Sequence, residues 1–187
     1  MIPIMSLWLP ILLSAVTVFI ISSIIHMTLG YHANDYKELP NEKDILEDLR
    51  KYNIPEGDYY FPRPKNMKDI SSQEFIEKLK KGPVGLMTIK KRESSSMAKE
   101  LSLWFIYSII VGIFAAYIAG RALGPGAEYI AVFRFAGASA FAGYSLALLQ
   151  NSIWFNKNWS ATFKSMFDGL IYALFTGGIF GWLWPGV

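Results

Sequence analysis

Four long apolar stretches, about 1–30, 100–123, 127–151 and 164–185, constrain the fold of this chain more than any motif in it does. Each reaches or exceeds the roughly 20 residues that an α-helix needs to cross about 30 Å of hydrocarbon. Three of them are ruled along one face by small residues at four-residue intervals. The last has Ser165, Gly169, Ala173, Gly177 and Gly181, and the second has Ser108, Gly112, Ala116, Gly120 and Gly124. The third has Ser139, Gly143 and Ala147, with Ala136, Ala138, Ala140 and Ala142 around them. Apolar side chains gain nothing by leaving lipid for one another, so membrane helices associate where small residues let their backbones come close. The pattern predicts an all-α membrane bundle of four transmembrane helices. The ladders serve either internal packing of one molecule or, for at least one of them, contact with another protein. Span three carries more small surface than a single neighbour uses.

Polar residues are segregated rather than spread, as the composition of 52% hydrophobic and 18% charged residues over 187 positions requires. They concentrate in residues 31–99, between spans one and two, which read as a small α+β module. Asn41 is placed to cap a helix over 42–53, with Ile45, Leu46, Leu49 and Tyr52 on one face and Pro55 and Gly57 as its stop. Asp58 to Phe61 suits a short strand. Ser71 with Glu74 forms a capping box for a helix over 72–81 that Gly82 and Pro83 end, and Val84 to Ile89 suits a second strand. About 60 residues of this kind make a marginal domain. The first apolar stretch lacks a basic leader and is far longer than the roughly 7 to 15 residues of a signal core, so it reads as a retained span.

Lysines and arginines near the span ends set the expected orientation, because cytoplasmic flanks keep positive charge. Lys37, Lys90, Lys91, Arg92, Lys99, Lys157 and Lys164 fall on one side and Arg121 on the other. Both termini are therefore expected outside and the 31–99 module in the cytoplasm. Trp8, Tyr129, Trp182 and Trp184 would form an outer aromatic belt, and Trp104, Trp154 and Trp159 an inner one. Lys90, Lys91 and Arg92 are suited to anionic lipid headgroups, with ordinary solvated surface as the plainer account.

The chain has no cysteine, which removes disulfides, thiolate metal sites and cysteine nucleophiles. A net charge of +3 is too small to point to nucleic acid. No phosphate-binding glycine loop, HExxH or nucleophile elbow is present, and no cofactor motif was found. Asn158-Trp159-Ser160 matches a glycosylation acceptor but falls on the expected cytoplasmic side.

Ionisable groups inside spans are costly, which singles out Arg134, Asp168 and His26. Arg134 either snorkels to headgroups or Glu128, or makes an anion site with Tyr117, Tyr129 and the ladder glycines, or pairs with a second subunit. Asp168 has Lys164 four residues earlier and the first turn of its helix to satisfy it, or else pairs with His26 at comparable depth. His26 and His32 are six residues apart, about 240° on a continuous helix, so no metal or haem site is expected from these two alone.

The run LGYHANDYKELPNEKDILEDLRKYNIPEGDYYFP, the later KGPVGLMTI and the end FDGLIYALFTGGIFGWLWP resemble a group of uncharacterised bacterial inner-membrane proteins with one span, a polar loop and three more spans. The resemblance implies a bacterial inner-membrane location and carries no activity. The leading reading is a non-enzymatic accessory or structural subunit that sits in the lipid bilayer beside other membrane subunits or copies of itself. Two alternatives stand beside it: a small-solute channel or transporter subunit using Arg134, and a membrane enzyme or redox carrier using His26 and Asp168.

Overall fold

In the computed structural model, residues 1–90 and 96–186 are described, and they form two compact units. The larger is helical and joins Met1–Lys37 to the chain from Ser96 onward; the smaller takes the chain from Glu38 to Lys90.

In the larger unit a 3-10 turn, Ile4–Leu7, leads into α1, Trp8–Thr28. Pro10 lies in the first turn of α1, where a missing N–H interrupts no helical bond. Helix α4 covers Ala98–Ala122, α5 Tyr129–Tyr144, α6 Leu149–Phe155 and α7 Trp159–Trp182. Among the described residues three helical segments are long and apolar enough to cross a membrane: Ile4–Thr28, Ala98–Ala122 and the α5–α6 stretch Tyr129–Phe155. Helix α7, at 24 residues, has the length, but Lys164, Asp168 and its glycines dilute its apolar character.

The third stretch is not one rod. Helix α5 stops at Tyr144, Ser145 leaves helical geometry at φ −124 and ψ −47, and a 3-10 turn over Leu146–Leu148 leads into α6. Two bonds to α7 accompany this break. The Ser145 hydroxyl donates to the Met166 carbonyl at 3.2 Å, and Ser152 shares a buried 2.7 Å hydrogen bond with Thr162.

Two apolar clusters fill the bundle. At one end Ile2, Leu7 and Ile11 meet Ala115, Ala116, Ala119, Val132, Ala136 and Phe180; toward the other, Val18 and Ile25 meet Val111, Ala140, Tyr144, Tyr172 and Ala173. The α4 ladder faces α1 and the segment before it: a Cβ on Gly112 would lie 3.4 Å from the Ile11 carbonyl oxygen, and one on Gly120 would lie 3.0 Å from that of Ile2. The Ile2 amide donates back to the Gly120 carbonyl at 2.8 Å. The α7 ladder faces α5, with Gly177 against Phe133 and Gly137, and Gly181 against Tyr129.

On α5 the buried face is Val132, Ala136, Ala140 and Tyr144. Ser139 is only half-buried, Gly143 is exposed, and Ala147 lies outside the helix in the 3-10 turn. Alanine occurs on several faces of this helix, so small size alone does not mark the one that packs. Trp8, Trp182, Trp154 and Trp159 are exposed near helix ends. Trp104 does not join a belt; its indole N–H donates to Ser22 of α1 at 2.8 Å and its ring packs against Tyr107, Tyr144 and Tyr172. Trp184 is half-buried and donates to the Gly124 carbonyl at 3.0 Å.

The smaller unit has the expected order: α2 (Glu42–Lys51), β1 (Gly57–Phe61), α3 (Gln73–Lys81) and β2 (Gly85–Ile89). The strands pair antiparallel, Gly57 opposite Ile89 and Phe61 opposite Gly85. Asn41 adopts a left-handed conformation, φ 52, and makes no side-chain cap. The α3 cap is Ser72 rather than Ser71: its hydroxyl accepts the Phe75 amide at 3.2 Å, while Glu74 pairs with Lys78. Among the described residues of this unit, Phe75 is the one buried hydrophobic side chain, as a marginal domain implies.

Candidate functional site

Helix α1 ends at Thr28, and Gly30, at φ +64, turns the chain back. A glycine just past a helix end takes this left-handed conformation without the steric cost of a Cβ. Two short turns follow, Ala33 amide to Gly30 carbonyl and Asp35 amide to His32 carbonyl, each at 3.0 Å. Residues 31–35 are thereby held against α7, in the helical unit rather than in the polar module to which the sequence assigned them.

The turn also changes the relation between the two histidines. Separation by about 240° assumes a continuous helix, and the helix is not continuous. The His26 and His32 rings lie 4.7 Å apart, and Tyr31 stacks on His32 at 4.4 Å.

Asp168 of α7, 3% exposed, is the centre of the cluster. Its Oδ2 lies 2.8 Å from His32 Nε2 and 4.0 Å from His26 Nε2, and its Oδ1 accepts the Tyr31 hydroxyl. The other His32 nitrogen, Nδ1, lies 2.6 Å from Asp35 Oδ2. Lys164 Nζ donates to Asp35 Oδ1 at 2.8 Å and to the Tyr31 carbonyl at 2.7 Å. Lys164 is thus committed to Asp35, not to Asp168. The helix begins at Trp159, where Asn158 caps it, so Asp168 lies more than two turns inside and beyond the reach of the first-turn dipole.

Burial pushes the Asp35 carboxyl up, but its hydrogen bonds to Lys164 and His32 outweigh that and hold it below the usual carboxylate range. The Tyr31 phenol is pushed up, first by burial and then by Asp168 beside it. One helical turn beyond Asp168, the buried Tyr172 hydroxyl has no hydrogen-bond partner among the described residues, and its ring lies against Trp104 and Tyr144.

His32 therefore bridges two carboxylates, and His26, His32 and Asp168 each offer a ligating atom, all within 4.8 Å of one another. Tyr31, His32, Asp35 and the partner of Lys164 were missed from sequence. The one signal was the GY step at the end of span one, which marks a helix stop.

The other sequence candidates lie elsewhere. Arg134 is exposed on the outer face of α5 and has no ion pair among the described residues. Tyr117, expected beside it, lies under the Arg121 guanidinium at 5.6 Å, and Tyr129 stacks on Phe133 and abuts Gly181. Gly112, Ala116, Gly120, Gly169, Ala173 and Gly177 are buried at helix contacts, with Gly181 half-buried at the end of the α7 ladder. Lys90 is exposed at the end of β2, while Lys91 and Arg92 lie outside the described residues. Comparison with protein-family models, curated proteins and solved structures finds no match.

Proposed function

We propose that this chain is a non-enzymatic integral membrane protein of four spans, a subunit that packs in a bacterial inner membrane against another membrane-embedded helix. Both termini are assigned to the outer side and the α2–β2 module to the cytoplasm, on the distribution of lysine and arginine.

The observation that carries this reading is the outward face of α5. Gly112 and Gly120 of α4 and Gly169 and Gly177 of α7 are used within the molecule, and Gly143 of α5 lies against Val111 of α4, yet Ala138 and Ala142 of α5 remain exposed. Ser139, Ala142 and Gly143 line a groove of about 360 Å³ with Tyr107, Ile110 and Phe114 of α4. Small residues left on a lipid-facing surface let a neighbouring backbone approach closely. Arg134 lies on the same helix and is exposed, where hydrocarbon would cost about 2.5–3.5 kcal/mol at a span centre and less near the interface. A carboxylate on a partner helix offsets that cost. Exposure on the outer surface also argues against Arg134 lining a solute path within one protomer.

Cross-linking in native membranes, followed by mild extraction and native mass measurement, tests the subunit reading. A second chain should accompany the protein, and Ala138→Leu, at an exposed position, should release it. A monomer alone in both cases refutes the reading. The chain has no cysteine, so single introduced cysteines at exposed Lys43 and Met5 report sidedness cleanly.

A further inference from the structure

We infer that His26, His32 and Asp168 bind one divalent first-row transition ion of the class represented by zinc. Imidazole and carboxylate together suit such ions, and three protein ligands with a further position open to solvent form a known type of zinc site. His26, whose side chain is 52% exposed, sits at the open side, and Asp168 at 4% closes the other.

The spacing is close to what an ion requires. Bonds of about 2.0–2.1 Å in tetrahedral geometry place ligand atoms about 3.3 Å apart. The His32–Asp168 contact of 2.8 Å has to open by about 0.5 Å, the His26–Asp168 separation of 4.0 Å has to close by about 0.7 Å, and the two imidazole nitrogens, within 4.8 Å of each other, have to close by up to about 1.5 Å. His26 lies near the end of α1 with an exposed side chain and supplies most of that movement. Both histidines face the same oxygen, Oδ2, while Tyr31 occupies Oδ1.

Support around the ligands has the form that metal sites use. A ligating histidine gives its second nitrogen to a carboxylate, which orients the ring and raises its basicity. His32 does this with Asp35 at 2.6 Å, and Lys164 fixes Asp35 in turn at 2.8 Å. Charge agrees as well: two carboxylates meet one ammonium, leaving a negative charge for a cation. The cluster needs no second protein, so the inference is independent of the subunit reading.

The test uses full-length, tag-free protein in detergent, equilibrated with Zn²⁺, freed of loose metal and assayed for zinc by elemental analysis. Affinity comes from competition with a chromophoric chelator. About one ion per chain is expected, consistent with a single site. His26→Ala should lose most of the binding, and because His26 makes no hydrogen bond among the described residues its helix content and elution should be unchanged. Asp35→Asn keeps every ligand and should weaken binding by about 10–100-fold. Zinc well below one equivalent on the folded wild-type chain overturns the inference and leaves the cluster as an ion-pair clasp. Equal affinity in His26→Ala overturns it as well.

Discussion

Substituting alanine at two adjacent glycines of α7 should have unequal effects on stability. At Gly177 a Cβ would stand 2.8 Å from the Phe133 carbonyl oxygen and 3.1 and 3.2 Å from the Cα and N of Gly137. All three atoms are backbone, so no rotamer change relieves the clash, and α5 and α7 must separate by about 0.5 Å locally. A gap of about 0.5–1 Å forfeits a quarter to a half of each van der Waals contact it crosses. Overpacking of this kind costs about 1–3 kcal/mol. Helix propensity returns about 0.8–1 kcal/mol for Gly→Ala in water, leaving Gly177→Ala destabilised by about 0–2 kcal/mol and less stable than Gly178→Ala by about 1–3 kcal/mol. At Gly178 the nearest atom to a Cβ is the Tyr129 hydroxyl at 3.5 Å, an ordinary contact. Gly178→Ala should therefore be neutral or slightly stabilising. Reversible unfolding in mixed micelles, followed by far-ultraviolet circular dichroism, measures both variants under one condition. Equal stability of the two would refute the close approach of α5 to α7.

Tyr172→Phe removes a buried hydroxyl that has no partner; an unsatisfied group of this kind costs about 1–3 kcal/mol, so the variant should be at least as stable as the parent in the same unfolding assay. A clear loss of stability would mean that the hydroxyl is bonded in the folded protein. Trp104→Phe keeps most of the aromatic packing and deletes the 2.8 Å bond to Ser22, so it should destabilise by about 0.6 kcal/mol, the average for side-chain bonds between membrane helices. Ser22→Ala should cost a similar amount, and the double variant should cost less than the sum; strict additivity would show that the bond contributes nothing.

The helices and the packing faces of α4 and α7 were legible because regular spacing of glycine, alanine and serine survives any detail of packing, although the neighbour each face meets was left open. The packed face of α5 was not legible. Ala136, Ala138, Ala140 and Ala142 alternate along that helix, so residue size distinguishes no direction, and Val132 and Tyr144 decide which side is buried. The break at Ser145 was also hidden, since nothing local forbids a helix there and the hydrogen bond to Met166 is made with a distant segment. At the candidate site, the proximity of His26 and Asp168 at one end of the bundle followed from counting residues along antiparallel spans. The remainder depended on one backbone reversal. Gly30 carried that information, and treating the chain as helical through His32 discarded it. The i, i+4 spacing of Lys164 and Asp168 suggested a pair, but Asp35 arrives from the turn and takes the lysine. Local spacing states which contacts are possible, and the tertiary fold selects among them.

Helix α7 shows why apolar content alone is a poor measure of how a helix meets lipid. Of its polar and small residues, Thr162, Asp168, Gly169, Thr176 and Gly177 are buried, together with Tyr172, Ala173 and Phe180. The Thr176 hydroxyl is satisfied by the Tyr172 carbonyl at 2.8 Å. Its exposed positions are Trp159, Ser160, Phe163, Phe167, Leu170, Leu174, Phe175 and Trp182, apolar or aromatic but for Ser160 in the first turn. Averaging along the sequence mixes these two faces and lowers the value, although lipid would contact the second face alone. Polar groups at membrane depth are tolerated where they turn toward the protein interior and find partners, and most of those on α7 do. Gly177 and Gly181 reduce apolar content for the same structural reason that they bring α5 close. Lower apolar content than in the three span-length apolar helices is thus the outcome expected when one helix supplies both close packing and the charged cluster.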